Sequence, residues 1–387
     1  MISRTVRALL VLAVAGGCSV PPSSPSVAVP SPTAGASAAP SADNPSGAPV
    51  TNAPWRTGVI DQGLTTPALE FRSTGTHLIW SSGARADREA DVAPDLFASE
   101  PGGAGRLVYD NPNRGSRLEY IDGIGTKFAF MEVNNTEFGP GNWKLWYMRE
   151  PAVAPALVDE GGGGQLPFFS ISEDHVVWTA VHGQPAMSQL LLLDLRTMEQ
   201  RLLAEDEPGE VQYWFPDVDG QRIVYGTVEP NEDFTSDERH VYLLDLERQG
   251  DPVRLDQGTS ASEPTIQGDN IVWKESDPRL NFLVAGSLVH YSIASGSREP
   301  LTIPNFEGFG FVEPTVGERY AAAWPESDRM LYIADLETGD YPPIMDLGDT
   351  NEDPHDAVAH PDIEGDLLAY KFGPAGGELE LHWILLR

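Results

Sequence analysis

Apolar and polar residues alternate along this chain in short runs separated by turn residues, and the arrangement recurs. Its clearest copies are Glu263-Pro-Thr-Ile-Gln-Gly-Asp-Asn-Ile-Val-Trp273, Glu313-Pro-Thr-Val-Gly-Glu-Arg-Tyr-Ala-Ala-Ala-Trp324 and His360-Pro-Asp-Ile-Glu-Gly-Asp-Leu-Leu-Ala-Tyr370. Weaker copies run from Pro67 to Trp80, Leu118 to Phe130, Pro167 to Trp178 and Pro216 to Tyr225. The closing aromatics recur at a spacing of roughly 48 residues, the period of a repeat array rather than of scattered strands. Within a copy, an apolar segment near Pro, a Gly/Asp turn and a second apolar run predict a two-stranded hairpin. A third strand follows, as in Val241-Tyr-Leu-Leu-Asp245 and Leu331-Tyr-Ile-Ala-Asp335, and then a weaker fourth, as in Pro252-Val-Arg-Leu255.

Four strands in each repeat of this length is the pattern of a β-propeller blade. No segment sustains an apolar period of 3.6, so alternating βα units are not expected. The fold class is therefore all-β: a single seven-bladed β-propeller, with six blades as the fallback if the divergent second copy is not a blade. The last repeat runs out on its third strand at Leu381-His-Trp-Ile-Leu-Leu-Arg387. Val59-Ile-Asp-Gln-Gly63 mirrors Arg254-Leu-Asp-Gln-Gly258, each a few residues before a repeat proline. The N-terminal segment is expected to supply the missing strand and close the ring, which removes the exposed edges of an open array.

The first 54 residues stand outside this pattern. Met1 to Arg7 carries two arginines, residues 8–15 are an uncharged apolar run, and Cys18, the only cysteine, follows Gly16 and Gly17. Residues 1–17 read as a signal peptide. Cys18 is placed as in a bacterial lipoprotein signal, although Ala15 departs from the usual Leu or Val, and Ala13-Val14-Ala15 also fits an ordinary cleavage site. Residues 18–54, rich in Pro, Ser and Ala, read as a lipidated disordered tether that reaches as much as roughly 110 Å if extended at about 3.1 Å per residue. Residues 55–387 form the propeller. These features place the mature protein outside the cytoplasmic membrane, held to it only through lipid on Cys18.

The formal charge of −33 becomes about −35 once Arg4 and Arg7 leave with the signal, which repels nucleic acid and anionic lipid. No nucleic-acid partner and no cofactor are expected, and the chain reads as a monomer.

The blade pattern resembles that of TolB-like propellers, whose repeats read Pro, a Gly/Asp turn, an apolar run ending in an aromatic, then Tyr-x-x-Asp-Leu-x-Thr-Gly. The resemblance covers residues 57 to 387 and implies the fold. TolB-like proteins of the envelope complex pair a six-bladed ring with an N-terminal α/β domain, for which this chain has no room.

Chemistry is sparse in the sequence. There is no G-x-S-x-G, no H-E-x-x-H and no Gly-Lys pair for a phosphate loop, so the chain reads as non-catalytic. Asp349, Asn351 and Asp353 begin like a calcium loop, but Pro354 and His360 stand where an EF-hand needs Gly and Glu, and a solvated acidic loop is expected. The closing aromatics Trp80, Trp178, Tyr225, Trp273, Trp324 and Tyr370 are expected between blades rather than against a sugar. Residues just before the repeat prolines converge on one mouth of a propeller channel. They are Glu263, Glu313 and His360, with Trp214 and Phe215 ahead of Pro216. Such a set suits a cation or polar ligand, or hydrogen bonds to turn amides. The loops Arg85 to Asp95, Glu229 to Arg239 and Glu275 to Arg279 open on the same face and make it acidic. The expected function is a non-catalytic binding or scaffold lipoprotein engaging a protein, peptide or glycan. The alternative is a glycoside hydrolase or lyase with Glu263 and Glu313 as its carboxylate pair.

Overall fold

Alternation in each repeat buries one set of side chains on each face of a small antiparallel sheet, and the sheets can satisfy both faces only by stacking on one another. The computed structural model describes residues 55–386 except 61–67, 83–94, 231–236, 277–285, 302–310, 326–329, 340–342, 347–357, 373–379 and a few single or paired positions. Cys18, the signal and tether, and Asp349, Asn351 and Asp353 lie outside the described residues, as do most of the three acidic loops and the side chains of Glu313, Trp324 and His360.

The described residues form 28 strands in seven four-stranded sheets. Blades 1 to 6 follow the chain in order, each a simple meander from the innermost to the outermost strand. Their innermost strands are β2 (Ala68–Ser73), β6 (Ser116–Ile124), β10 (Phe169–Ile171), β14 (Gln212–Asp219), β18 (Ser260–Gln267) and β22 (Phe311–Val316). Blade 7 is composite: β26 (Val358–Glu364), β27 (Leu367–Phe372) and β28 (Glu380–Leu385) are completed by β1 (Arg56–Val59). Seven blades and an N-terminal closing strand are thus what the repeat predicts, and the divergent second copy is a full blade.

The closing strand begins three residues earlier than the Val59 to Gly63 motif suggests, and the registry explains why. β1 pairs with β28 with Gly58 opposite Trp383. The Trp383 indole covers Gly58 so closely that a Cβ there would sit 2.7 Å from it. Blade 2 repeats the device, with Gly161 opposite Trp143 and a Cβ position 2.6 Å from that indole. The mirrored motif marks the strand's exit: Ile60 N–H donates to Leu381 O, just as Leu255 N–H donates to Val241 O in blade 4, both at 2.9 Å.

The core is a ring of seven clusters, each shared by two neighbouring blades. The closing aromatics whose side chains are described sit in these junctions, as expected: Trp80 faces blade 7, Trp178 faces blade 2 and Tyr370 faces blade 6. Trp80, Trp178 and Trp273 are completely buried, so none of the three is a sugar platform. At the face where the inner hairpins turn, side chains tie successive blades together. Lys127 Nζ donates to Glu173 O (2.6 Å), His175 Nδ1 to Gly220 O (2.8 Å), Arg222 to Gly268 O (3.0 Å) and Asn270 to Glu318 O (2.7 Å).

A fully buried carboxylate anchors blade 4. Asp256 accepts from His240 Nδ1, Val241 N–H, Gly258 N–H and both Nε and Nη2 of Arg254. Burial opposes its charge, but these donors outweigh burial and hold the carboxyl far below the usual range.

Gly58→Val would drive methyl groups into the Trp383 indole, and is expected to destabilise the domain by about 1–3 kcal/mol. Gly250→Ala, where an added Cβ meets nothing closer than 4.0 Å, serves as control. Equal thermal midpoints for the two variants would show that the β1 closure does not hold the ring.

Candidate functional site

In six of the seven inner strands the pairing with the second strand slips just before the channel's waist, for example between Trp214 and Asp217, Ser262 and Thr265, and Ala359 and Asp362. Proline has no N–H to give to a ladder, so a bulge accommodates Pro216, Pro264, Pro314 and Pro361 without a lost bond. In three of these bulges the residue before the proline, or its equivalent, takes left-handed backbone. Tyr120 (φ 48°), Phe215 (φ 44°) and Glu263 (φ 55°) are three of the four non-glycine positive-φ residues among those described. Strain of this kind costs on the order of 1–3 kcal/mol per residue and gathers where function requires it.

These residues, with Phe168 at the equivalent position of the unbulged blade 3, stand around the mouth at the start of the inner strands. In chain order from blade 1 they are Glu70, Tyr120, Phe168, Phe215, Glu263, Glu313 and His360. The described side chains of the mouth fall on two sides, aromatic over blades 2 to 4 and carboxylate over blades 5 and 1, with the backbones of Glu313 and His360 at the equivalent strand positions. The aromatic rings touch in series: Tyr120 to Phe168 at 6.2 Å, Phe168 to Phe215 at 4.3 Å and Phe168 to Trp214 at 5.6 Å between centroids. Trp214 lies behind this wall, stacked on Phe168. Phe215 and Glu263 face a cavity of about 250 Å³.

Below the mouth lies a waist, one residue from each blade: Arg72, Asp122, Ser170, Asp217, Thr265, Thr315 and Asp362. The acids here have a structural task. An innermost strand has no partner on its inward edge, so its amides need acceptors. Asp122 accepts Ile171 N–H (2.8 Å), Asp217 accepts Ile266 N–H (2.7 Å), Thr315 Oγ1 accepts Ile363 N–H (2.9 Å) and Asp362 accepts Ser73 N–H (2.5 Å). In each case the waist side chain of one blade caps the inner strand of the next. Asp217 is further satisfied by Ser170 Oγ (2.6 Å) and Val218 N–H (2.9 Å).

A second, polar chamber of about 160 Å³ lies beyond the waist, lined in part by Ser172, Asp219, Gln267 and Glu364. Gln267 of blade 5 donates to Glu364 of blade 7 at 2.6 Å and accepts Gly365 N–H at 2.9 Å. That bridge passes over blade 6, where Gly317 holds the equivalent position. A Cβ on Gly317 would lie 2.5 Å from Gly365 O and 3.3 Å from Gln267 Oε1, so the bridge needs glycine there.

Arg72 is the one cation among the residues facing either chamber, 3.8 Å from Asp362. Burial, reinforced by Asp362 and Asp217, pushes the Asp122 carboxyl up to about 7. Burial also raises Asp217 and Asp362, and raises Glu364 well above the ordinary range, with neighbouring acids adding to it. Glu263 is raised by burial against the opposing charges of Lys274 and Arg239. Lys274 is wholly buried and its Nζ makes no hydrogen bond. Among the described residues no group of three or more His, Cys, Asp or Glu is arranged to hold a metal ion.

The structure therefore places Glu263 and Trp214 at the predicted mouth, one on the cavity and one behind its wall, and puts the backbones of Glu313 and His360 at equivalent strand positions. Sequence reading missed Tyr120, Phe168 and the waist acids. A signal existed in Pro216-Asp-Val, Pro264-Thr-Ile, Pro314-Thr-Val and Pro361-Asp-Ile, where the residue after each proline faces the channel. Of the acidic loops, Glu275 is taken up structurally, accepting from Trp273 Nε1 and paired with Arg298.

No protein-family model matches the chain, and no curated protein matches it in sequence. Solved structures match its fold. The β-propeller domain of the Trilobed protease from Pyrococcus furiosus superposes with a TM-score of 0.58 at 14% identity, covering 82% of this chain and 93% of that one, and is described as having an open velcro topology. Here, by contrast, β1 closes the last blade. An oligogalacturonate lyase in complex with manganese gives a TM-score of 0.54 at 11% identity, covering 87% and 97%. Acylaminoacyl peptidase from Pyrococcus horikoshii gives 0.57 at 12%, covering 82% of this chain and 50% of that one. At such identities the likeness shows the fold alone: a β-propeller, as the TolB-like repeat implies. It also corrects the expectation of a non-catalytic protein, because this architecture is carried by enzymes of at least two kinds. The lack of sequence motifs does not separate the chain from them.

Carboxyls raised in the folded state bind protons more tightly there than in the unfolded chain, so their contribution falls as pH rises from about 4 through 7. The thermal midpoint is expected to rise between pH 8 and pH 5.5, and Asp122→Asn to flatten that slope. A slope identical in the variant would remove Asp122 from the linkage.

Proposed function

We propose that this protein recognises a peptide or glycan in the channel mouth at the start of the inner strands, from a location outside the cytoplasmic membrane. The observation that supports this most is the two-sided ring. Strained backbone presents Tyr120 and Phe215 at the edge of a cavity with a carboxylate floor, an arrangement that core packing does not require. Tyr120 is 38% exposed, so its ring serves the core little. Aromatic faces suit the apolar body of a ligand, and the buried acids below supply directed hydrogen bonds.

A catalytic outcome of that recognition is favoured by Asp122. Burial and the neighbouring Asp362 and Asp217 push its carboxyl up to about 7, so it holds a proton far more readily than an ordinary aspartate, the state a general acid needs within reach of a bound ligand.

The purified domain is expected to give a consistent set of binders on peptide and glycan arrays. Phe168→Ala should weaken them about tenfold or more, the loss expected when an aromatic anchor is truncated. Tyr120→Gly should weaken them too while leaving the thermal midpoint nearly unchanged, since relief of strain offsets the lost ring. Binders indifferent to both substitutions would place the site elsewhere. Mass analysis of bound ligands after incubation, with Asp122→Asn alongside, tests the catalytic outcome.

A further inference from the structure

The mouth is rich in acid relative to base, and its walls are aromatic. Four carboxyl groups face its cavity (Asp122, Asp217, Glu263 and Asp362) and a single guanidinium, that of Arg72. Their bonding separates them. Asp217 is occupied by the Ser170 hydroxyl and two amides. Glu263 feels Lys274 and Arg239, and Asp362 lies against Arg72. Asp122 feels Arg72 as well, though less than it feels Asp362 and Asp217, and it accepts one amide on each oxygen, from Gly123 and Ile171, which leaves one lone pair per oxygen for a ligand. Tyr120 and Phe168 line the same cavity, and the quadrupole of an aromatic ring attracts positive charge at its face. An anion entering here would push these raised carboxyls further toward their protonated forms, whereas a cation is favoured by their ionised forms.

We infer that the mouth cavity takes a cation: a primary ammonium or guanidinium on an aliphatic or aromatic body, as at a peptide N-terminus or a lysine or arginine side chain. This rests on the mouth being the binding site proposed above. The charged head reaches Asp122, and its apolar stem lies along Tyr120, Phe168 and Phe215. A volume of about 250 Å³ admits one such group at a time.

Three probes with a common phenyl skeleton separate the possibilities: phenethylamine, its N-acetyl derivative and 3-phenylpropionate, titrated calorimetrically against the folded domain at pH 7.5. The amine is expected to bind about tenfold or more tighter than either of the others, as one desolvated cation-π contact and one charge-assisted hydrogen bond would give. Asp122→Asn should bring the amine and its N-acetyl derivative to within about twofold, and Arg72→Gln should widen the gap. The second variant decides the matter if the first does not fold, since an unchanged or narrowed gap in Arg72→Gln overturns the cation reading. Equal binding of amine and N-acetyl probe, abolished by Phe168→Ala, would overturn the cation reading and keep the mouth as the site. Binding of none of the three would overturn both.

Discussion

The inward edge of each innermost strand is the constraint on which the channel's chemistry depends. Seven sheets stacked face to face bury their apolar surfaces in seven shared cores, but stacking does nothing for the backbone groups that line the axis. Those amides are met by side chains reaching from the preceding blade: Asp122 to Ile171, Asp217 to Ile266, Thr315 to Ile363 and Asp362 to Ser73. A carboxylate is the strongest short acceptor available, so the solution to a backbone problem fills the axis with acid. The raised carboxyls follow from it, since acids recruited one blade at a time converge in a space with little water and one guanidinium.

That origin bears on how function is read. An acidic channel in this fold is not in itself evidence of a metal or of catalysis, because capping explains most of it. What capping does not explain is the asymmetry of the mouth, with aromatic side chains over blades 2 to 4 and the carboxylates of Glu263 and Glu70 over blades 5 and 1. Nor does it explain strained backbone at Tyr120, Phe215 and Glu263. The fold is shared with a lyase and with peptidases at identities of 14% or less, so chemistry has to be sought in these side chains and not in the architecture.

Much of the architecture was legible because it repeats. The closing aromatics, the proline in or beside most inner strands and the likeness of Val59-Ile-Asp-Gln-Gly63 to Arg254-Leu-Asp-Gln-Gly258 each report the same blade pattern more than once, so one divergent copy does no harm. The mouth was legible only in part, and for the opposite reason: a binding surface uses what differs between blades. Glu263, Glu313 and His360 stood out because a proline follows each of them. Tyr120 has no following proline, and Phe168 sits in a copy whose proline precedes it, so the aromatic arc was hidden where the repeat is most degraded. The waist acids were in plain view within the repeat, but alternation alone does not distinguish a residue facing the axis from one facing a neighbouring blade.

The Gly58 and Trp383 pairing has a mechanical side. β1 is the outermost strand of its sheet and meets the rest of the domain through four paired positions on β28, with Ile60 continuing to Leu381. A pull transmitted along the polypeptide ahead of Trp55 is therefore borne by the Trp55 contact with Tyr320 and then by this short ladder. The ring's clasp and its load-carrying joint are the same few residues, and tension on the N-terminal side would work directly against closure of blade 7.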